Sequence, residues 1–200
     1  MTQQVNKRRR RLLTTLTTGV GLVGTGTLVA PFVASMQPSA RARAAGAPVE
    51  VDISKLLLGQ MLTVEWRGKP VWILRRSERM LQGLAELAGK LADPDSEVLA
   101  QQPSYAKNPY RSIQPELLVV LGVCTHLGCA PSRKFEIGAA SGLGDDWVGG
   151  FFCPCHGSTF DLAGRVYKGV PAPTNLPVPP YSFLSDSRIL IGVDQEEASA

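Results

Sequence analysis

Cys124-Thr125-His126-Leu127-Gly128-Cys129 and Cys153-Pro154-Cys155-His156-Gly157-Ser158 decide how this 200-residue chain is read. Together the two runs hold all four of its cysteines and both of its histidines. A lone cysteine is commonly a small core residue, and a lone histidine a hydrogen-bonded structural one. Gathering every residue of both types into two hexapeptides points instead to one shared site. Three chemistries use such a set: a zinc knot, a pair of structural disulfides, or an iron-sulfur centre. Structural zinc usually draws two cysteines from one run and two histidines from the other. Here each run supplies both, Cys-x-His in the first and Cys-x-x-His in the second.

Working outward, Leu117-Leu118-Val119-Val120-Leu121 is an unbroken apolar run that predicts a buried strand leading into the first motif. Residues 134–150, rich in glycine, separate the motifs and predict an inserted surface loop. Upstream, Val49 to Ile53 alternates, and Met61 to Trp66 with Pro70 to Leu74 flank Arg67-Gly68-Lys69, the pattern of a hairpin. Between Ser77 and Leu91, the residues Leu81, Leu84, Leu87 and Leu91 share one helical stripe that stops before Asp93-Pro94. Phe160, Val166, Tyr181 to Leu184 and Arg188 to Ile191 supply closing strands. The expected head is mainly antiparallel β with one core-packing helix, and its roughly 150 residues suffice to close a single core.

The N-terminus has a different character. Residues 1–49 carry Lys7, Arg8, Arg9, Arg10, Arg11, Arg41 and Arg43 and no acid, while the remainder is net negative. The basic excess therefore sits in a leader, and without stacking aromatics it argues against nucleic-acid binding. From Leu12 to Met36 there is no charge, a length sufficient for one membrane span. Thr17, Gly21 and Thr25 recur every four residues, the spacing at which small side chains admit a neighbouring helix. Lys7 to Arg11 should stay cytoplasmic by the positive-inside tendency, which puts the cysteine-bearing part across the membrane. Arg9-Arg10-Arg11-Leu12-Leu13 also looks like a twin-arginine export signal. Ala40-Arg41-Ala42 and Ala42-Arg43-Ala44 mimic cleavage sites, but the uncharged segment is longer than a signal core, so an uncleaved anchor is expected.

The mixed motifs resemble the Rieske 2Fe-2S family, in which one iron keeps two thiolates and the other two imidazoles. The resemblance runs over nearly the whole chain and is to the Rieske subunits of bacterial ubiquinol-cytochrome c reductases. It implies an antiparallel Rieske-type β-sandwich head with a small cluster-binding subdomain and one N-terminal transmembrane helix. The implied divisions are a cytoplasmic basic segment (1–11), an anchor (12–36), a hinge (37–48) and a periplasmic head (49–200). One 2Fe-2S cluster would be held by Cys124 and Cys153 on the inner iron and by His126 and His156 on the outer. Cys129 and Cys155 would form the disulfide of the quinol-oxidising branch, which suits an oxidising compartment. Ser158 would donate to a bridging sulfide, Gly169-Val170-Pro171-Ala172-Pro173 would be the proline loop, and Leu127 would lie at the docking tip. His156 would meet the ubiquinol hydroxyl. The implied partners are cytochrome b and a c-type cytochrome in a dimeric complex of the bacterial inner membrane.

One position departs from the pattern: where many relatives carry tyrosine, this chain has Phe160, so a donor to a ligand thiolate is missing. Two other functions stay open on sequence alone. The small Rieske subunit of an exported oxidoreductase such as arsenite oxidase would only relay electrons, and it has a shorter gap between motifs and no hinge. A zinc-stabilised binding module would transfer none, and metal analysis separates it.

Overall fold

The computed structural model describes residues 6–194. The expected N-terminal and head divisions extend over residues 1–5 and 195–200, which lie outside the described residues. The chain divides into two units between Ala44 and Ala45.

In the first unit, helix α1 spans Lys7–Ser35, and the Asn6 side chain caps it by accepting from the backbone N–H groups of Arg8 and Arg9. Its 29 residues extend about 43 Å, more than the roughly 30 Å of a bilayer's hydrocarbon core. No residue of α1 is buried, and Leu12, Leu16, Val20, Val23 and Phe32 all project from it. Four of the six threonines that dilute the apolar run carry their own solution. Thr14, Thr15, Thr17 and Thr27 donate their hydroxyls to carbonyls three or four residues back, so none brings an unpaired donor into lipid. A second helix, α2, spans Ala40–Ala45 within the expected hinge.

The head is built from three antiparallel three-stranded sheets. The first joins β1 (Val49–Asp52), β9 (Arg188–Ile191) and β8 (Tyr181–Ser185) in that order, with Val49 opposite Ile191. The second joins β2 (Met61–Trp66), β3 (Lys69–Arg75) and β4 (Leu117–Leu121). The third and smallest joins β5 (Ser132–Lys134), β6 (Gly150–Phe152) and β7 (Thr159–Phe160). One apolar core contains residues of all three, among them Ile189, Ile73, Leu118, Phe151 and Phe160. The head is thus mainly β and antiparallel, with a small subdomain carrying both motifs.

Local chemistry explains the elements that the sequence anticipates. Arg67 and Gly68 form a two-residue turn with φ of 51° and 71°, the twist that matches a hairpin, and the Arg67 guanidinium stacks 4.4 Å from the Trp66 ring. Val71 to Leu74 and Leu117 to Val120 are buried on both faces, as continuous apolar runs require.

The leucine stripe behaves differently from expectation. Helix α3 spans only Glu78–Ala85, and a short 3-10 turn at Ala88–Lys90 follows. Leu84, Leu87 and Leu91 are nonetheless buried. Leu91 has left the helix to form a β-bridge with Tyr167, and Ala92 N–H donates to the Val166 carbonyl. Pairing with a distant strand thus replaces helical continuation while keeping the leucines inside. The segment 134–150 is also more ordered than a plain loop. Its ends belong to β5 and β6, and Trp147 is buried with its indole N–H on the Lys134 carbonyl at 2.9 Å.

Candidate metal centre

Strand β4 delivers the first motif, and the strands β6 and β7 flank the second. At the root of the first, Gly122 lies against the Trp72 ring so closely that a Cβ would overlap it. The two motif loops then fold alike. In the first, Cys124 N–H donates to the Cys129 carbonyl at 2.8 Å and Gly128 N–H to the Cys124 carbonyl at 3.0 Å. In the second, Cys153 N–H donates to the Ser158 carbonyl at 2.7 Å and Gly157 N–H to the Cys153 carbonyl at 2.9 Å. Gly128 and Gly157 occupy the left-handed region, with φ of 82° and 78°. Each loop therefore reverses on a glycine four residues after its first cysteine, a conformation that costs other residues about 1–2 kcal/mol.

A disulfide between Cys129 and Cys155 ties the loops together across a Cα separation of 6.7 Å. The third side is the segment Gly169–Pro173. Ala172 N–H donates to the Ser158 hydroxyl at 3.0 Å, and beyond that segment the Thr125 hydroxyl donates to the Thr174 carbonyl at 2.7 Å.

The two remaining cysteines, Cys124 and Cys153, are free thiols buried in the core. Burial pushes the Cys124 thiol above its ordinary value. The backbone N–H of His126 pulls it down, its neighbour Cys153 pushes it up, and the Ser158 hydroxyl pulls it down. Outside the thiols the rings of His126 and His156 face one another edge to face, their centroids 4.8 Å apart. His126 is half-buried and His156 exposed, while Leu127 beside them is 71% exposed. The Cys153 sulfur also lies within 4.8 Å of both bridge sulfurs, but a disulfide sulfur is not a thiolate and does not ligate as one. The donor set that remains is two inner thiols and two outer imidazoles. It fits a group that takes soft sulfur ligands on its protein side and nitrogen ligands on its solvent side.

Residues 48–180 match the profile of the Rieske 2Fe-2S domain. The chain belongs to the Rieske iron-sulfur family. Residues 1–39 match a second profile, described as "Ubiquitinol-cytochrome C reductase Fe-S subunit TAT signal". Among curated relatives, the ubiquinol-cytochrome c reductase iron-sulfur subunit of Allochromatium vinosum is 61% identical over 196 residues, 98% of this chain and 94% of that one. The subunit of the same name from Blastochloris viridis is 44% identical over 185 residues, 92% of each. A mitochondrial cytochrome b-c1 complex subunit, Rieske-1 of Nicotiana tabacum, is 47% identical over 167 residues, 82% of this chain and 55% of that one. With one helix among the described residues long and apolar enough to cross a membrane, this Rieske protein is a membrane-anchored, single-pass subunit.

Beyond the second motif the chain also buries charged residues that sequence reasoning missed. Asp161, Arg165, Arg76 and Arg111 are all buried, and Arg165 Nε donates to Asp161 at 2.7 Å. The signal available was Asp161-Leu-Ala-Gly-Arg165 just past Thr159-Phe160 after the second motif, an acid and a base four residues apart. Phe160, between Ser158 and this pair, is fully buried and stands opposite Phe151 in the ladder.

Proposed function

We propose that this chain is the electron-transfer subunit of a ubiquinol-cytochrome c reductase. The observation that carries the reading is the outward-lying imidazole pair, His156 exposed and His126 half-buried, set over two buried thiols and locked by the Cys129–Cys155 bridge. Cys124 and Cys153 would hold the inner iron, and His126 and His156 the outer. When bound, a histidine-ligated 2Fe-2S group supplies a one-electron acceptor at a higher potential than an all-thiolate cluster. The protein supplies the rest. His126 N–H and the Ser158 hydroxyl point at the Cys124 sulfur, where they stabilise its thiolate. Ser158 simultaneously accepts from Ala172, so the same hydroxyl fixes the proline loop against the site.

His156, exposed on the second loop, meets the quinol hydroxyl and takes its proton on a ring nitrogen as one electron leaves the quinol. Leu127 forms part of the apolar tip that excludes water where the head docks. The divisions follow: a cytoplasmic segment (1–11), an anchor (12–36), a hinge (37–48) and a periplasmic head (49–200). The hinge lets the head serve cytochrome b and a c-type haem in turn within a dimeric complex. Relatives that share the anchor as well as the head support this reading over the small subunit of an exported oxidoreductase.

Replacing His156 by alanine in the membrane-bound chain tests the assignment. The expected result is loss of the low average-g electron paramagnetic resonance signal and of the quinol-dependent reduction of a co-purifying c-type haem. A normal signal in that variant would sink the ligand set.

A further inference from the structure

Among the described residues, three guanidinium groups are buried in the head and only one carboxylate, Asp161, is buried with them. Arg76 donates to the carbonyls of Tyr110 and Leu162 at 2.9 and 3.0 Å and to the Ser112 hydroxyl at 2.8 Å. Arg111 donates to the carbonyls of Leu176 at 2.8 Å and Ala163 at 3.2 Å and to the Gln102 side chain at 2.9 Å. It does so from a left-handed backbone, φ 50°, which a non-glycine residue holds only when its surroundings enforce it. Arg165 completes the set on Asp161 and the Leu84 carbonyl. Burial lowers the pKa of Arg76 and of Arg111 to about 10, so both stay charged at neutral pH.

Several of these bonds anchor the cations to backbone that adjoins the site. Residues 161–164 follow the second motif loop just beyond β7, and residues 174–176 follow the proline loop. Leu162, which receives Arg76, is four residues from Ser158, whose hydroxyl reaches the Cys124 sulfur. Chain geometry limits that separation to about 14 Å. Neutral partners already satisfy most of the hydrogen bonds, so stability alone does not explain a surplus of buried positive charge, which is costly.

We propose that Arg76, Arg111 and Arg165, opposed by Asp161 alone, hold a fixed positive potential at the iron-sulfur site that favours its reduced form. They are positioning residues whose charge tunes the affinity for the electron, and this rests on the Rieske reading above. A unit charge on the order of 10–15 Å away, in an effective dielectric of about 20, changes an equilibrium by roughly tenfold. Because the charges are buried, salt screens them little.

The test is a redox titration of the full-length chain in its purified complex, followed by the paramagnetic resonance signal. Arg76→Gln should weaken reduction about tenfold, a fall of about 59 mV for a one-electron couple. Arg76→Lys keeps the charge and should stay near the parent. Asp161→Asn should move the potential upward, whereas a purely structural disturbance would not reverse sign with charge. Equal shifts in Arg76→Gln and Arg76→Lys, or a downward shift in Asp161→Asn, would overturn the proposal. If Arg76→Gln does not accumulate, the Asp161→Asn result decides alone, a potential at or below the parent's counting against it. A parent without the signal would refute the cofactor reading, a failure distinct from that of the charge effect.

Discussion

The two motif loops share a backbone and differ in what they hang on it. Counting each first cysteine as position zero, both close the same two hydrogen bonds and reverse on a glycine at position four. The first loop carries histidine at position two and its bridging cysteine at position five; the second carries its bridging cysteine at position two and histidine at position three. A duplicated turn has been given staggered side chains. Two identical loops facing each other would place like groups at equivalent points, whereas the stagger brings two imidazoles edge to face and leaves a cysteine on each side free to meet its partner. The backbone supplies the cradle, and the one-residue offset supplies the chemistry.

That equivalence can be broken by experiment. The largest effect is expected from exchanging His126 and Leu127, which gives the first loop the spacing of the second while its hydrogen bonds stay available. The ring would leave its partner, and the mixed-ligand resonance signal should vanish from the purified chain while the fold, followed by circular dichroism, survives. A retained signal would mean that the offset is not what selects the ligand.

Next in size is the bridge. Cys129→Ser should leave the inner thiols and both imidazoles in place but release the loops from each other, at a typical cost of about 2–4 kcal/mol. The outcome to measure is iron content per chain after mild heating, which should fall faster than in the parent. Unchanged retention would show that the contacts to Ala172 and Thr174 hold the loops without the disulfide.

The smallest effect compares Gly128→Ala with Gly157→Ala. Neither added Cβ would meet another atom within 4 Å, so each variant reports backbone strain alone. Both should lose about 1–2 kcal/mol. Matching losses in chemical denaturation would sharpen the equivalence, and a loss confined to one of the two variants would dissolve it.

Which parts of this molecule a sequence reveals follows from how local their causes are. The Arg67-Gly68 turn and the Leu117–Leu121 strand depend on a few neighbouring residues, and both could be read directly. The end of α3 at Ala85 depends on Tyr167, some eighty positions away, so the leucine stripe predicted a longer helix than the fold contains. Trp147 was read as part of a loop because its partner is a backbone carbonyl, which leaves no trace in side-chain pattern. The site divides in the same way. Its cysteines and histidines announce themselves by type and clustering, whereas Arg76 and Arg111 carry the letters of surface residues and are buried only by tertiary contacts. The likeness of the two loops was hidden for the opposite reason: the repeat lies in hydrogen bonds, and the side chains that spell it are out of step.

Cys153 within 4.8 Å of both bridge sulfurs imposes an order of events on assembly. Three neighbouring sulfurs can form only one disulfide, and an oxidant meeting all three as thiols could pair Cys153 with either of the others. A metal already seated on Cys153 removes that choice and leaves Cys129 and Cys155 to find each other. The head therefore gains from being loaded while its sulfurs are still reduced and oxidised only afterwards, an order that the twin-arginine-type profile matched by residues 1–39 would accommodate.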